Sequence, residues 1–320
     1  MGPDEPETAG EAITRVLVSL SRQLVEQEQA VARAEEDAVH QARIRVRRIR
    51  SVLAVYRRIL DTAETTRLRQ TLRMFGAELG SARDPEVRAK TMEDLLQART
   101  APDVIDAVEA LVDRSLAEYA DAREKLLRVF ESPEHRALLA WLEAFAANPP
   151  FGERSRRTAG KPAGSVFSQA IRREVARVDE RARAAATRDM DALHELRKKA
   201  RRLRYAANAM SSEPYPVLGA RARAIGDAAE DAQNILGDHR DGLLLAAHLR
   251  HSLSDHALSR SASTGIGRFA ARCERRAIEE LAELGPALDA IHLAFSADDR
   301  TTIVASRDPQ PTRDVLPQAS

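Results

Sequence analysis

The chain has 320 residues, of which 4% are aromatic and 31% are charged. This composition favours packed amphipathic helices over sheets, because helix interiors tolerate Ala, Leu, Arg and Glu whereas strands prefer β-branched and aromatic residues. The formal net charge of +1 excludes a uniformly polycationic protein, so any binding of anions must come from local segregation of charge.

The sequence also limits the compartment. Cys273 is the only cysteine, which excludes an internal disulfide framework and suggests a reducing compartment. The N-terminal residues are acidic and contain no apolar segment of the kind found in signal peptides. No apolar run approaches the roughly 20 residues that span a bilayer. The sequence therefore predicts a soluble cytoplasmic protein without membrane contact.

In chain order, the sequence divides into two helical segments of similar length. Residues 1–10 lack helical periodicity and are predicted to be a disordered tail, after which apolar residues recur at helical spacing over 11–147. Residues 148–165 combine Pro, Gly and Ser and are predicted to be a linker. Helical periodicity returns over 166–296, and residues 297–320 are predicted to be a second disordered tail.

The two segments share two motifs in the same order. The first motif, Asp-x-x-His-x-x-Arg-x-x-x-Arg-Arg-x-Arg, begins at Asp37 and again at Asp191. The second motif, Leu-Gly-x-x-Arg-Asp, occupies residues 79–84 and 236–241. From the histidine to the arginine of the second motif the distance is 43 positions in the first segment and 46 in the second. This repetition indicates an internal duplication and, with the helical composition, predicts an all-α fold of two tandem domains.

On a helix, the first motif places its basic side chains in one column. At about 100° per residue, the histidine and the arginines three, seven and ten positions later share an arc of about 80° beside an apolar stripe. The columns consist of His40, Arg43, Arg47 and Arg50 in the first segment and of His194, Arg197, Arg201 and Arg204 in the second. Like charges at such spacing destabilise an isolated helix. We therefore interpret each column as a surface that an anion neutralises.

The start of each motif adds to this interpretation. Asp37 and Asp191 are predicted to be N-caps, which places His40 and His194 at the third helical position. Free backbone N–H groups and the helix dipole favour an anion there, and a bound anion raises the pKa of the histidine.

Each of these features has a structural alternative. A basic run is commonly a solvated face, and a first-turn histidine commonly makes a structural contact. Arg83 and Arg240, in the second motif, have the alternative of an Arg–Asp contact at a helix junction, since the glycine of each motif fits a helix end that a new N-cap follows. The repetition of the column in both segments favours binding over a solvated face.

The duplicated motifs resemble those of the CHAD family, the conserved histidine α-helical domain. LRYAA at 203–207 and ESPEHRALLAWL at 131–142 extend the resemblance, which covers roughly residues 11–296. The resemblance implies two tandem antiparallel four-helix-type bundles related by a pseudo-twofold axis, with a basic channel or groove at their junction that binds inorganic polyphosphate.

The resemblance also implies ligand contacts for both columns and their basic neighbours. These are His40, Arg43, Arg47, Arg48, Arg50 and Arg83 in the first half and His194, Arg197, Lys198, Arg201, Arg202, Arg204 and Arg240 in the second, with Lys199 beside them. One position breaks the symmetry, since Ile44 stands where the second half has Lys198. The two columns are therefore expected to contribute unequally.

We expect no catalysis and no cofactor. Phosphoryl transfer needs a phosphate cradle and a metal held by carboxylates. Pro162 follows Gly160 and Lys161 where a P-loop requires Ser or Thr, and no acidic cluster accompanies the columns. We also expect no metal site, since the histidines that lie close in sequence form no metal-binding pattern; they are His239, His248, His251 and His256.

The main alternative ligand is another polyanion or a nucleic acid, since arginine columns bind phosphates of any kind. The columns lack the Asn and Gln suited to base edges, and only Tyr56 and Tyr205 accompany them as stacking platforms. A helical scaffold that docks an acidic protein fits the same columns. The sequence leaves open the preferred polyphosphate length and the biological task, such as granule association or regulation together with polyphosphate-metabolising proteins.

Overall fold

The structure, a computed structural model, describes residues 6–60, 63–95, 102–211, 216–254 and 258–296. Throughout these ranges the chain is helical and forms no strand, with only an isolated bridge between Thr8 and Pro162. The predicted all-α class is therefore confirmed.

The helices follow a similar order of lengths in the two halves. The first half contains α1 (Ala9–Ala32), α2 (Ala38–Val55), α3 (Ala63–Leu95), α4 (Pro102–Phe130) and α5 (Pro133–Ala147). A short helix, α6 (Glu153–Ala159), precedes the second half, which contains α7 (Ala163–Ala184), α8 (Met190–Ser211), α9 (Ala220–Ser252), α10 (Arg260–Glu280) and α11 (Leu284–Ser296). Helices α3 and α9 both have 33 residues. This order fits the predicted duplication, which stays a prediction.

The first helix begins earlier than the sequence predicted. Thr8 and Glu11 form a capping box, in which the Thr8 hydroxyl accepts from the Glu11 amide at 3.3 Å and the Glu11 carboxylate accepts from the Thr8 amide at 2.9 Å. Ala9 and Gly10 are buried, and a Cβ at Gly10 would lie 3.3 Å from the Cβ of Ala159. The prediction of a disordered tail over residues 1–10 is therefore wrong at its end. Residues 297–320, the other predicted tail, lie outside the described residues.

The predicted linker is a packed part of the fold. Residues 148–165 contain α6 and the first turn of α7. The amide of Ala9 donates to the carbonyl of Lys161 at 2.8 Å, and the amide of Ala163 donates to the carbonyl of Glu7 at 2.9 Å. These bonds tie the segment to the start of α1. Its Pro and Gly residues, from which the linker was inferred, shape two short turns around α6.

The two halves share one main hydrophobic core. The ring of Tyr56, after α2, lies 4.8 Å from the ring of Phe167 in α7, and the Tyr56 hydroxyl donates to the carbonyl of Ala206 in α8 at 2.9 Å. Both rings are fully buried. The predicted boundaries at residues 147 and 166 therefore do not separate two cores.

A second, smaller core joins the ends of the long helices. It combines α3 and α4 of the first half with α9 and α10 of the second, through Ala89, Met92, Val108, Leu111, Val112, Leu245, Ala246, Leu249, Ile266, Phe269, Ala270 and Cys273. The halves are thus connected at two places, through the main core along α2, α7 and α8 and through this second core.

We predict that Phe167→Ala destabilises the whole chain. The substitution removes a ring that packs across the two halves, and large-to-small changes of buried aromatic residues cost about 3–5 kcal/mol in the free energy of unfolding. Urea unfolding followed by circular dichroism measures the change. Leu293→Ala is the control, because Leu293 is 75% exposed. Equal stability of the two variants would contradict the shared core.

Candidate anion-binding site

The glycine of the second motif makes room for an arginine of the first. In the first half, a Cβ at Gly80 of α3 would lie 3.4 Å from a terminal nitrogen of Arg43 of α2. In the second half, a Cβ at Gly237 of α9 would lie 2.9 Å from a terminal nitrogen of Arg197 of α8. The absence of a side chain at these glycines lets each guanidinium lie directly against the backbone of the neighbouring helix.

The aspartate of the same motif partners the same arginine. Arg43 pairs with Asp84 at 3.1 Å, and Arg197 approaches Asp241 at 3.9 Å. The two motifs, separated in sequence, therefore come together in space in the same way in both halves.

The expected helix junction at the second motif is wrong. Both copies of Leu-Gly-x-x-Arg-Asp lie inside unbroken helices, and Pro85 also lies within α3. No glycine in the described residues has a positive φ, so these glycines serve close approach and not a turn. Leu79 and Leu236 of the motifs are buried in the main core.

The two columns line one cavity of about 420 Å³, which we call the arginine cavity. Helices α2, α3, α8 and α9 form its walls. Its lining includes predicted site residues from both halves: His40, Arg43, Arg47, Arg83, Arg197, Arg201 and Arg240.

Two further cavities adjoin the arginine cavity, since they share lining residues with it. The second cavity shares Arg47 and Arg201 and adds the predicted residues Arg50, Lys198 and Arg202. The third cavity shares Arg197 and Arg240 and adds His194. The three cavities therefore form a series of neighbours: the second cavity is lined by α2, α3 and α8, the arginine cavity lies beside it, and the third cavity is lined by α8 and α9.

Two partly buried arginines, Arg47 and Arg201, line both the arginine cavity and the second cavity. Burial lowers the pKa of Arg47 to about 9, with repulsion from Arg43 and Arg201 adding to the effect. Burial also lowers the pKa of Arg201 to about 10, assisted by Arg197. In the described parts of the chain, Arg47, Arg50 and Arg201 form no ion pair with an acid. These cations are held close together without compensation.

Several donors at the site also lack acceptors. The Nε atoms of Arg43, Arg83 and Arg197 are buried and have no hydrogen-bond partner among the described residues. A buried donor without a partner is costly. An anion in the cavity supplies acceptors to such groups.

Both histidines of the motif are surrounded by positive charge. Burial lowers the pKa of His40, and repulsion from Arg83 of α3 and from Arg47 and Arg43 of α2 adds to it, whereas Asp37 opposes it. The pKa of His194 is likewise lowered, by burial and then by Arg240, with Lys198 and Arg197 adding and Glu195 opposing. Without an anion, both imidazoles therefore favour the neutral form.

The predicted N-cap position is confirmed for Asp37 and wrong for Asp191. Asp37 stands at the N-cap of α2, with His40 at the third helical position, but it has a left-handed backbone with φ of 58° and makes no side-chain capping bond. The carboxylate that caps α8 belongs to Asp189, which accepts from the Ala192 amide at 3.0 Å, and Asp191 lies inside the first turn. Two aspartates lie close together before α8, and the sequence alone does not distinguish which one caps the helix.

Three of the predicted ligand residues hold the helices together. Arg48 donates to the carbonyl of Asn208 at 3.2 Å. Arg202 pairs at 2.7 Å with Glu174, a buried carboxylate of α7, and also lines the second cavity. Arg204 pairs with Glu230 of α9 at 2.5 Å and contacts the ring of Tyr205. Arg48 and Arg204 line none of the three cavities.

Sequence analysis did not assign five basic residues of the cavities to the anion site. His239 lines the third cavity, Arg88 and His248 line the arginine cavity, and Arg69 and Arg73 of α3 line the second cavity. The sequence contains a signal for the last two, because no acid occurs between residues 65 and 77. Arg88 and His248 have no such signal, because the sequence beside each of them is that of an ordinary helix.

The histidines considered as metal ligands do not converge. His239 is buried and its Nδ1 donates to the carbonyl of Ala277 at 2.8 Å, while His248 lines the arginine cavity. His256 lies outside the described residues. In the part of the chain that the structure describes, no three His, Cys, Asp or Glu side chains are grouped to hold a metal ion. Nor does any described helix have the length and apolarity to cross a membrane.

The chain belongs to the CHAD domain family, whose model matches residues 15–250. Two uncharacterized proteins of Mycobacterium tuberculosis, MT2285 and Rv2226, are each 30% identical to it over 254 residues. The match covers 77% of this chain and 46% of each relative, so the chain spans about half the length of these curated relatives.

Solved structures share the fold. The crystal structure of the CHAD domain from the plant Ricinus communis matches with a TM-score of 0.64 and 22% identity, over 93% of this chain and 95% of that chain. PptA from Streptomyces chartreusis matches with a TM-score of 0.67 and 17% identity, over 90% of this chain and 99% of that chain.

We predict opposite effects on stability for two adjacent arginines. Arg202→Gln lowers the free energy of unfolding by about 1–3 kcal/mol, because it removes a charged partner of the buried Glu174. Arg201→Gln leaves stability unchanged or raises it, because it relieves repulsion within the arginine cavity. Thermal and urea unfolding without ligand measure both. A loss at Arg201 as large as that at Arg202 would show that Arg201 is structural.

Proposed function

We propose that this chain binds inorganic polyphosphate without catalysis, through the connected cavities lined by the two columns. The observation that carries the proposal is the position of Arg47 and Arg201, which both line the arginine cavity and the second cavity and form no ion pair with an acid among the described residues. A polyanion in the cavity relieves their repulsion and accepts from the buried Nε donors around them. The chain's family, associated with polyphosphate-related proteins, supports the same ligand.

The lining favours polyphosphate over nucleic acid. No aromatic side chain lines any of the three cavities in the described structure, so single-stranded bases would find no stacking platform. The walls offer closely spaced guanidinium groups, which match a ligand that is all phosphate. Polyphosphate supplies the highest density of acceptors with no bases to accommodate.

The biological task forms part of the proposal. Binding without turnover suits association with polyphosphate granules in the cytoplasm, or the presentation of polyphosphate to proteins that metabolise it. The match covers 46% of each curated relative, so these relatives contain further segments beside the matched part. A role as a binding module that acts beside other segments therefore also fits this chain.

We predict that Arg47→Glu combined with Arg201→Glu abolishes polyphosphate binding and leaves the fold intact. The change places two carboxylates at the centre of the cavity, where they repel phosphate. Fluorescence polarisation with labelled long-chain polyphosphate measures binding, and circular dichroism measures helix content.

The matched control is Arg22→Glu combined with Arg136→Glu, two exposed arginines of α1 and α5 with the same change in net charge. The control keeps wild-type affinity. If the cavity variant folds and binds as tightly as wild type, the site assignment fails; if it does not fold, these arginines are structural.

We predict that polyphosphate outcompetes other polyanions. Labelled long-chain polyphosphate bound to the pure protein is challenged with single-stranded DNA, duplex DNA and polyglutamate at near-physiological salt, because salt strongly affects such affinities. Selective displacement by unlabelled polyphosphate supports the proposal. Equal competition by DNA at matched charge would make the chain a general polyanion-binding protein.

We predict that affinity for polyphosphate rises as pH falls from about 8 to about 6. In the free protein the pKa of His40 is lowered by burial and by the arginines around it, and bound phosphate raises this pKa, so binding takes up a proton. NMR titration of His40 shows the shift, and the pH dependence of affinity is weaker in His40→Asn. An unchanged titration of His40 on adding polyphosphate would contradict a contact with the ligand.

A further inference from the structure

A second basic surface begins where the second cavity ends. Arg69 of α3 and Arg202 of α8 both line that cavity. The pKa of Arg69 is lowered by burial and then by the positive charges of Arg202 and of Arg57, which follows α2. Arg57 and Arg58 directly follow Tyr56, whose ring lies 4.8 Å from the ring of Phe167, so both arginines lie beside α7 although neither lines the cavity.

The same surface continues onto α7. The pKa of Arg173 is lowered by burial, then by Arg58 and Arg177, with Glu174 opposing. Arg57 and Arg58 are exposed, and Arg173 is partly exposed. Glu174, which follows Arg173, pairs with Arg177 and with Arg202 of the second cavity, so this part of α7 lies directly against the cavity. We call the four arginines Arg57, Arg58, Arg173 and Arg177 the basic track.

The acidic side chain of this region, Glu174, already forms ion pairs. Glu174 is buried beneath the surface, with its side chain 1% exposed, and pairs with Arg177 and Arg202. In the described parts of the chain, Arg57, Arg58 and Arg173 form no ion pair with an acid. Some other surface arginines do pair with acids, as Arg250 with Glu274 and Arg128 with Glu124.

We propose that the basic track is a second binding segment for linear polyphosphate, which a chain reaches only after it has filled the cavities. This inference rests on the proposed function and adds to it a structural basis for preferring long chains. Short chains are held in the cavities by buried arginines. Longer chains leave the second cavity between Arg69 and Arg202 and continue over Arg57 and Arg58 towards Arg173.

The two segments differ in their physical character. The cavity arginines are buried, so their attraction for phosphate is screened little by salt. The track arginines are exposed, so their contribution weakens as ionic strength rises. The gain in affinity with chain length is therefore expected to be largest at low salt.

The test compares four proteins over a series of polyphosphate fractions of increasing length: wild type, the track variant Arg58→Gln with Arg173→Gln, a second track variant Arg57→Gln with Arg58→Gln, and the matched control Arg22→Gln with Arg136→Gln. The second track variant changes only exposed residues and protects the test against misfolding. Affinity is measured by competition against labelled polyphosphate at low and at near-physiological salt.

In wild type and in the control, affinity keeps rising with chain length beyond the length that fills the cavities. In the track variants it stops rising earlier, and the affinity for the longest chains falls by about tenfold at low salt, with the shortest chains unaffected. The salt dependence of long-chain binding also becomes less steep in the track variants.

The outcomes separate the two proposals. If wild type binds polyphosphate and the track variants show the same dependence on chain length as the control, the basic track is overturned and the cavities remain the binding site. If wild type binds no polyphosphate fraction at either salt concentration, the proposed function itself fails. A loss that is equal for short and long chains would also overturn the track, since it would mean that these arginines act on the cavities.

Discussion

The placement of Arg47 of α2 and Arg201 of α8 in the lining of the same two cavities is the constraint on which the site depends. Both guanidinium groups are partly removed from water, and burial together with the charges of neighbouring arginines lowers their pKa values to about 9 and about 10, so the charged pair is unfavourable without an anion. Such an arrangement persists only where the free energy gained from the surrounding packing exceeds the free energy that the repulsion costs. Natural proteins place unfavourable local features of this kind at functional sites.

The packing that holds the arginines in place lies on both sides of them. The main core clamps α2 to α7 and α8 through Tyr56 and Phe167. The second core joins α3 and α4 to α9 and α10, and Leu245 belongs both to it and to the lining of the arginine cavity. The walls of the cavity are thus fixed by apolar contacts that do not involve the ligand. A preformed site of this kind loses little conformational entropy when it binds.

The two halves contribute in similar but unequal ways. The glycine and aspartate of the second motif receive Arg43 and Arg197 in the same manner, yet the ion pair to Asp84 is shorter than the one to Asp241. Arg204 is paired with Glu230, whereas Arg50, its counterpart, faces the second cavity without an acid among the described residues. The cavity series therefore opens on the side of Arg50, where Arg69 and Arg73 of α3 extend it. The two ends of the cavity series therefore differ, and the basic track continues from the end at Arg50.

The sequence by itself determined the all-α class, the duplicated motifs and the two columns of basic residues, because helical periodicity and residue spacing are local properties that the chain carries directly. It also pointed to most of the arginines that line the cavities. Only the tertiary structure decided which of them face the cavity and which pair with acids, since Glu174 and Glu230 lie far from Arg202 and Arg204 in sequence. The glycines of the second motif also show what sequence alone does not predict. In sequence, a Gly before Arg-Asp is typical of a helix end. In the fold, the glycine lies against an arginine from another helix. Close approach and charge compensation depend on which helices pack together, and that is decided by the core as a whole.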